Sequence, residues 1–261
     1  HGVRGKVWLW DSIGLGGTYI KEPGNGGNLD YTLKGGDVTI KASEGTFIRG
    51  EYAETEGIVS QSKYTSIDGG LDFVQESVSG VNSKGKAYEI SGRLNLRDIS
   101  SQKGYIQAWY DKTEDGYSIG SQSTGEKEEY GIKTELNFRA TDILGYGIRE
   151  NSNLEDNEKY GLRVTQKLGE KLKASLEGRY EDISTVGDGV TLAGELEYKF
   201  TPSTRMYIQG EDVVSGDEAY KEERVSLGRL GVDTRLTDKI GLKTEIRREF
   251  NSSQRTEGEI R

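Results

Sequence analysis

The sequence predicts an all-β protein, because polar and apolar side chains alternate along most of its 261 residues. In the segment 172–180, Leu172 and Leu176 share one parity, whereas Lys173 and Glu177 share the other. A period of two predicts strands with two unlike faces. One face is thinly apolar and the other carries long charged side chains. This pattern predicts an antiparallel, up-and-down transmembrane β-barrel, whose strands separate lipid from water.

The composition supports this class over a soluble domain. Hydrophobic residues make up 32% of the chain and charged residues 30%, whereas a soluble domain is about half apolar. The sequence contains no run approaching the ~20 apolar residues that a membrane helix needs. A barrel strand needs only every second residue to be apolar. The net charge of −9 argues against a nucleic-acid partner.

Short turns alternate with longer polar connections along the chain, which is the arrangement of outer-membrane barrels. Short turns are predicted at 11–12, 43–46, 99–102, 141–142, 169–170, 201–204 and 237–238. Longer connections are predicted at 22–27, 55–86, 112–127, 150–158, 183–188 and 213–219. We expect the long loops to be extracellular and the short turns periplasmic.

About fourteen strands follow from these boundaries. They are predicted at 2–10, 13–21, 28–42, 46–54, 86–97, 103–112, 128–140, 143–150, 158–168, 171–182, 188–200, 204–212, 221–236 and 239–250. The parity changes at Gly35-Gly36 and near Gly228, and we expect a bulge at the glycine pair. Residues 65–74 are predicted to form a separate strand in a long excursion, at about 55–86, that folds into or over the pore.

The first predicted strand runs into a short turn and therefore starts on the extracellular side, and the last leaves a short turn and therefore ends on that side. Because a complete barrel normally has both termini in the periplasm, we expect one further strand at each end. With these two strands the barrel would have about sixteen, so we expect 14–16 strands in the complete barrel and interpret this chain as an internal fragment. Residues 1–261 are interpreted as a single transmembrane barrel domain.

Aromatic side chains cluster at strand ends on the apolar parity, as expected at membrane interfaces. The predicted interface aromatics are Tyr19, Tyr52, Tyr88, Tyr110, Tyr130, Tyr160, Tyr180, Tyr198, Phe138 and Phe200. The alternative is that strands are simply rich in tyrosine. Clustering at strand ends favours the membrane interpretation.

The charged parity is predicted to face a wet lumen, since a basic residue at mid-depth in lipid costs about 2–4 kcal/mol. The candidate pore-lining residues are Arg49, Arg93, Lys133, Arg163, Lys173, Glu177, Arg179, Glu195, Glu197, Arg205, Arg229, Lys243 and Arg247. Basic groups outnumber acidic ones on this parity, which favours a modest preference for anions. The alternative is that the charges pair between strands and only brace the wall.

Catalysis is not expected, because the one histidine is His1, at the chain end, and no imidazole is available inside the barrel as a general base. No cofactor is predicted. The run 111–116 lacks the full ligand spacing of a calcium loop, so no metal site is predicted.

Several short phrases resemble the C-terminal barrel of very large, multidomain bacterial envelope and surface proteins. They are Gly50–Gly57, Ser66–Phe73, Ala108–Ser118, Arg139–Asp142 and Leu236–Lys239. The resemblance covers most of the chain and implies a porin-like barrel of the outer membrane. It also implies a role in anchoring or exporting larger structures, and it supplies no catalytic residues.

Together these features predict a channel of the Gram-negative outer membrane that passes small polar solutes or ions. The alternative is a membrane anchor of a larger cell-surface protein with a plugged lumen. The expected partners are outer-membrane lipid, lipopolysaccharide, small polar solutes and other envelope proteins. A soluble β-rich binding protein is a third interpretation.

Overall fold

A computed structural model describes residues 1–23, 30–57, 63–66, 73–76, 84–119, 122–123, 125–224, 226–235, 240–250 and 258–260. Its strands are β1 Gly2–Leu9, β2 Ile13–Glu22, β3 Tyr31–Lys41, β4 Phe47–Glu56, β5 Lys63–Ser66, β6 Phe73–Glu76, β7 Lys84–Asn95, β8 Lys103–Thr113, β9 Ser118–Ile119, β10 Gln122–Ser123, β11 Lys127–Asn137, β12 Thr141–Ser152, β13 Asp156–Leu168, β14 Leu172–Ile183, β15 Gly187–Thr201, β16 Thr204–Gly216, β17 Ser226–Arg235, β18 Gly241–Phe250 and β19 Gly258–Ile260. The helices are α1, Glu218–Glu223, and a 3₁₀ turn, Leu96–Asp98.

Fifteen of the described strands form one sheet, in the order β1-β2-β3-β4-β7-β8-β11-β12-β13-β14-β15-β16-β17-β18-β19. Each of the two short pairs β5–β6 and β9–β10 forms a sheet of its own. The order in the main sheet follows the chain, so the fold is all-β, antiparallel and up-and-down. The predicted fold class, with fourteen long strands, is therefore confirmed. In the described ranges, no helix has the length and apolar character needed to cross a membrane.

The registers keep each strand's two faces separate. Between β13 and β14, Tyr160 lies opposite Tyr180 and Leu162 opposite Gly178 on one face. Arg163 lies opposite Glu177 on the other face. Because a slip of one residue would exchange the two faces, this patterning fixes the register.

The exposure of the two faces is the reverse of that in a soluble protein. Leu176 is 63% exposed and Leu196 is 50% exposed. By contrast, Glu177 is 8% exposed and Glu197 is 5% exposed. Leucine outside and carboxylate inside is the arrangement of a strand whose outer face contacts lipid.

The bulge predicted at Gly35-Gly36 is wrong. The register runs without a shift from β2 through β3 to β4, with Thr18 opposite Gly35 and Gly35 opposite Ala53. A Cβ added at Gly35 would lie 2.9 Å from the carbonyl oxygen of Tyr52, so glycine allows close approach of two backbones here. Consequently Tyr31, earlier in β3, lies on the polar face and is buried.

Two further boundaries differ from the prediction. Residues 221–223, predicted as strand, are the last turn of α1, because Glu218–Glu223 consists of helix-compatible residues without β-branching. The turn predicted at Thr141-Asp142 lies earlier, since Thr141 already begins β12 and its carbonyl accepts a hydrogen bond from the Phe138 N–H at 2.7 Å.

The excursion predicted at 55–86 is described only in part. Instead of one strand over 65–74, the structure has the two short strands β5 and β6, paired with Thr65 opposite Val74. Residues 67–72 lie outside the described part, and so does the position of most of this excursion. Near Gly228, where the sequence pattern predicts a change of parity, the strand register does not shift. The pairing of β16 with β17 is continuous from Thr204 to Glu211.

The chain forms two compact units. The first comprises residues 1–94, 107–130 and 150–154. The second comprises residues 95–106, 131–149 and 155–261. The first unit contains β1 to β4, β5, β6, β9, β10 and most of β7. The second contains β13 to β19 and α1.

A pair of neighbouring substitutions in β15 tests the assignment of the two faces. We expect Leu192→Arg to lower the free energy of unfolding in lipid vesicles by about 2–4 kcal/mol, because it places a charge on the lipid-facing parity. Ala193→Arg is the control at the same depth, since Ala193 lies opposite Glu177 and Glu211 on the polar face. Equal losses for both variants, measured by urea titration, would contradict the assignment.

Candidate functional site: the polar face of the strands

The charged residues singled out from the sequence lie on one parity of their strands, opposite the exposed apolar side chains. We call this parity the polar face. It carries Arg49, Arg93, Lys133, Arg163, Lys173, Glu177, Arg179, Glu195, Glu197, Arg205, Arg229, Lys243 and Arg247. The structure brings many of the second unit's members into contact with each other, mainly through buried carboxylates. Their role in lining a pore stays a prediction.

Glu177 on β14 is the first of these carboxylates. It accepts hydrogen bonds from Arg163 Nε at 2.7 Å and from the Tyr146 hydroxyl at 3.0 Å. A Cβ added at Gly161 would overlap the ring of Tyr146, so the tyrosine can occupy this position only because residue 161 is glycine. Three neighbouring strands therefore hold one carboxylate in position.

Glu181, two residues further along β14, is 1% exposed and is surrounded by cations. Its carboxylate lies 2.6 Å from Lys159 Nζ, 2.9 Å from Arg224 and 3.8 Å from Arg179 Nε. A buried carboxylate is tolerated only when charge and hydrogen bonds compensate its lost hydration. Here the compensation comes from β13, from β14 itself and from the segment after α1.

A third chain of charges crosses β14 to β17 nearer the short turns. Glu197 accepts from Arg205 at 3.0 Å and lies 3.7 Å from Lys173. Arg205 also donates to Asp233, through Nε at 3.2 Å and a terminal nitrogen at 2.9 Å. In the second unit, the polar face is thus a set of cross-strand ion pairs, which gives a geometric basis to the bracing interpretation.

The helix α1 lies on the polar face. Tyr220 is fully buried, and its hydroxyl donates to Glu181 at 3.0 Å and lies 3.4 Å from the Thr191 hydroxyl. Burial raises the pKa of the Tyr220 phenol, so the phenol keeps its proton and remains a donor. A Cβ at Gly189 would occupy the position of the Tyr220 ring. The loop between β16 and β17 is therefore folded inward and fixed to β14 and β15.

In the first unit, a different loop segment is folded onto the polar face. Ser118 donates its backbone N–H to Thr55 Oγ1 at 2.9 Å and its hydroxyl to the Gly57 carbonyl at 2.9 Å. Thr55 and Ser118 are completely buried. Burial, together with the charge of Glu51, raises the pKa of the adjacent Tyr117 phenol. This segment covers the ends of β3, β4 and β7.

The aromatic residues predicted for the membrane interface lie on the apolar parity, and several make ring contacts. The rings of Tyr52 and Tyr88 are 5.4 Å apart between centroids, and those of Tyr160 and Tyr180 are 6.3 Å apart. Tyr198 and Phe200 meet edge to face at 4.9 Å. Their position at a membrane interface remains a prediction.

Sequence reasoning missed Tyr220, Glu181, Thr55 and Ser118. One signal was present: 217–224 is a short run of helix-compatible residues inside an otherwise strand-like sequence. For Thr55 and Ser118 no local signal exists, because their contact joins residues 63 positions apart.

Comparisons with known proteins bear on the fold. No protein-family model matches the sequence, and no curated protein matches it. Among solved structures, the chain is similar to the siderophore receptor PirA from Acinetobacter baumannii, with a TM-score of 0.53 and 12% identity. That match covers 95% of this chain and 49% of the receptor chain, so this chain spans about half the receptor's length. At such identity the likeness concerns the fold alone.

Two porin structures also match, at lower scores. A KdgM porin has a TM-score of 0.40 and 12% identity, over 67% of this chain and 89% of that chain. A mutant of the Rh. blastica porin has a TM-score of 0.44 and 11% identity, over 100% of this chain and 98% of that chain.

A glycine substitution tests the seat of α1. We expect Gly189→Ala to displace the Tyr220 ring, because the added methyl group and the ring cannot occupy the same space, and to destabilise the fold by about 1–3 kcal/mol. Trypsin should then cut faster after Lys221 and Arg224, as mapped by mass spectrometry. Gly210→Ala is the control, since a Cβ there meets nothing within 4 Å. Unchanged cleavage in Gly189→Ala would contradict the described packing of the Tyr220 ring against Gly189.

Proposed function

We propose that the chain forms a channel of the bacterial outer membrane through which small polar solutes or ions diffuse passively. The observation that carries the proposal is the inverted exposure of neighbouring residues, with Leu176 63% exposed and Glu177 8% exposed. Such strands have an outer surface suited to lipid and an inner surface suited to water and charge. A catalytic step is not part of the proposal.

The strand number supports a wet interior. A barrel of eight strands has room only for side chains, whereas sixteen to eighteen strands leave an aqueous channel. The fourteen long strands of this chain fall towards the upper end of that range. In a barrel of 14–16 strands, we therefore expect the polar face to line a water-filled lumen, with residues 1–261 as a single barrel domain.

The proposed pore-lining residues are those of the polar face, from Arg49 on β4 to Arg247 on β18. Because the buried carboxylates Glu177, Glu181 and Glu197 each contact at least two cations, their charge is largely neutralised. Selectivity then depends on the charges left without a partner and on the width of the passage.

Two loop segments support a narrowed passage. Residues 114–119 pack on the polar face of β3 and β4, and α1 packs on the polar face of β14 and β15. Loops that fold inward reduce the cross-section open to solutes. We propose that each segment narrows the passage beside its own strands, and the excursion at 55–86 remains a further candidate.

The same two segments favour the second candidate function, a membrane anchor with a plugged lumen. The resemblance of several phrases to the C-terminal barrel of large envelope proteins also supports this candidate. In both cases we propose a Gram-negative outer-membrane location with long loops outside and short turns in the periplasm. Lipid, lipopolysaccharide and other envelope proteins would be its neighbours there.

Reconstitution into planar bilayers separates the two candidates. We expect purified protein to insert with stepwise increases in ionic current, because the lumen is lined by charges in contact with water. Electrically silent insertion, with incorporation confirmed by flotation of protein-containing vesicles, would contradict the channel and support the anchor.

A substitution in α1 tests the proposed constriction. We expect Tyr220→Ala to raise the single-channel conductance, because it removes the side chain that holds the loop against Glu181 and Thr191. Tyr130→Ala is the control, since Tyr130 is exposed on the apolar parity. Equal conductance in the wild type and both variants would show that α1 does not limit the passage.

A further inference from the structure

We propose that a cavity at the short-turn end of β15, β16 and β17 binds small oxyanions, carboxylates or phosphates, during their passage. This inference rests on the proposed channel and names a preferred class of solute for it. The cavity has a volume of ≈ 450 Å³, and its lining includes Lys199, Thr201, Ser203, Arg205, Asp233 and Arg235. Volumes of about 300–1,000 Å³ are typical of small-molecule sites.

The charges around the cavity do not balance. Three cations, Lys199, Arg205 and Arg235, face one carboxylate, Asp233. Since Arg205 is paired with Asp233 and, outside the lining, with Glu197, the uncompensated cations of the lining are Lys199 and Arg235. An anion entering the cavity would reduce this excess.

Arg205 forms the fixed wall of the cavity. Its guanidinium donates to Asp233 through two nitrogens, at 3.2 and 2.9 Å, and to Glu197 through the third, at 3.0 Å. These bonds neutralise Asp233 and hold Arg205 in one position. They leave Lys199 and Arg235 to meet a ligand.

Lys199 is placed directly opposite Arg205 in the β15–β16 register. Like charges in opposite positions of an antiparallel pair are destabilising. Within the described residues, the side chains of Lys199 and Arg235 have no ion-pair or hydrogen-bond partner. An oxyanion between Lys199, Arg205 and Arg235 would convert this repulsion into attraction, and an arginine fork is well suited to carboxylate and phosphate.

Hydroxyl groups complete the lining on the turn side. Thr201 Oγ1 and Ser203 Oγ lie 3.2 Å apart, and the register of β15 and β16 shifts between Lys199 and Thr201. The hydroxyls add neutral donors beside the cations.

Because the charges are exposed to water and screened by salt, the binding is weak. Weak binding suits a channel, since a solute must leave as readily as it enters.

Removing the two unpaired charges tests the site. We expect inorganic phosphate, added to a chloride electrolyte in planar bilayers, to reduce the wild-type conductance in a saturable way. In the double variant Lys199→Gln/Arg235→Gln, the half-saturating phosphate concentration should rise about tenfold, as expected for the loss of two exposed charge contacts.

A matched double variant controls for the loss of surface charge. Arg97→Gln/Lys103→Gln removes one arginine and one lysine at another short turn, where both residues are exposed. Phosphate should reduce the conductance of this variant at the same concentrations as in the wild type. If phosphate has no saturable effect on a conducting wild-type channel, or if both double variants respond equally, the site is refuted and the channel proposal stands.

A second measurement works without conductance. In detergent solution, the wild-type protein should broaden the ³¹P resonance of inorganic phosphate more than Lys199→Gln/Arg235→Gln does. If the protein is electrically silent, the channel proposal fails, and this comparison still decides on the site. Equal broadening by the wild type and the variant would overturn the inference.

Discussion

The structure depends on keeping charged side chains away from the middle of the apolar face of its long strands. An arginine or lysine at mid-depth on the lipid face costs about 2–4 kcal/mol, so a sequence with 30% charged residues can cross a membrane only if alternate positions are kept apolar. The confinement creates a second requirement, because charges gathered on one face must be compensated there. The cross-strand bonds around Glu177, Glu181 and Glu197 meet that requirement.

The compensating bonds also determine where the loops lie. Glu181 is satisfied partly by its own sheet, through Lys159, and partly by Arg224 and Tyr220 from the segment containing α1. The need of a buried carboxylate for partners therefore draws a loop onto the polar face. In the first unit, the hydroxyls of Thr55 and Ser118 do the same for residues 114–119 with neutral hydrogen bonds. Both contacts place a loop segment on the polar face of its own unit.

The strands and their faces follow from the sequence, since a period of two over about ten residues is a strong local signal. Gly35-Gly36 shows where that signal fails, because a change of parity looks the same whether the chain has a bulge or an aromatic residue turned inward. Tyr31 is such an inward-facing aromatic residue. Its hydroxyl contacts the Ser118 carbonyl, which is far away in the sequence. The helix α1 is missed because its first residues fall in the predicted connection 213–219 and 221–223 in a predicted strand, although Glu218–Glu223 has no β-branched side chain.

The candidate site, like the fold, is only partly predictable from the sequence. Arg163, Arg179 and Arg205 were predictable members of the polar face, since only their parity mattered. Their partners were not predictable, because pairing depends on register and on which strand lies beside which. The cavity near Lys199 likewise lies beside a register shift that the sequence does not reveal.

The position of Tyr220 has a consequence for the order of assembly. Its hydroxyl contacts Glu181 from β14 and Thr191 from β15, and its ring lies over Gly189. That seat exists only after β14 and β15 have joined in register. Docking of α1 therefore follows the pairing of β14 with β15, and until it occurs Glu181 lacks its contacts with Arg224 and Tyr220.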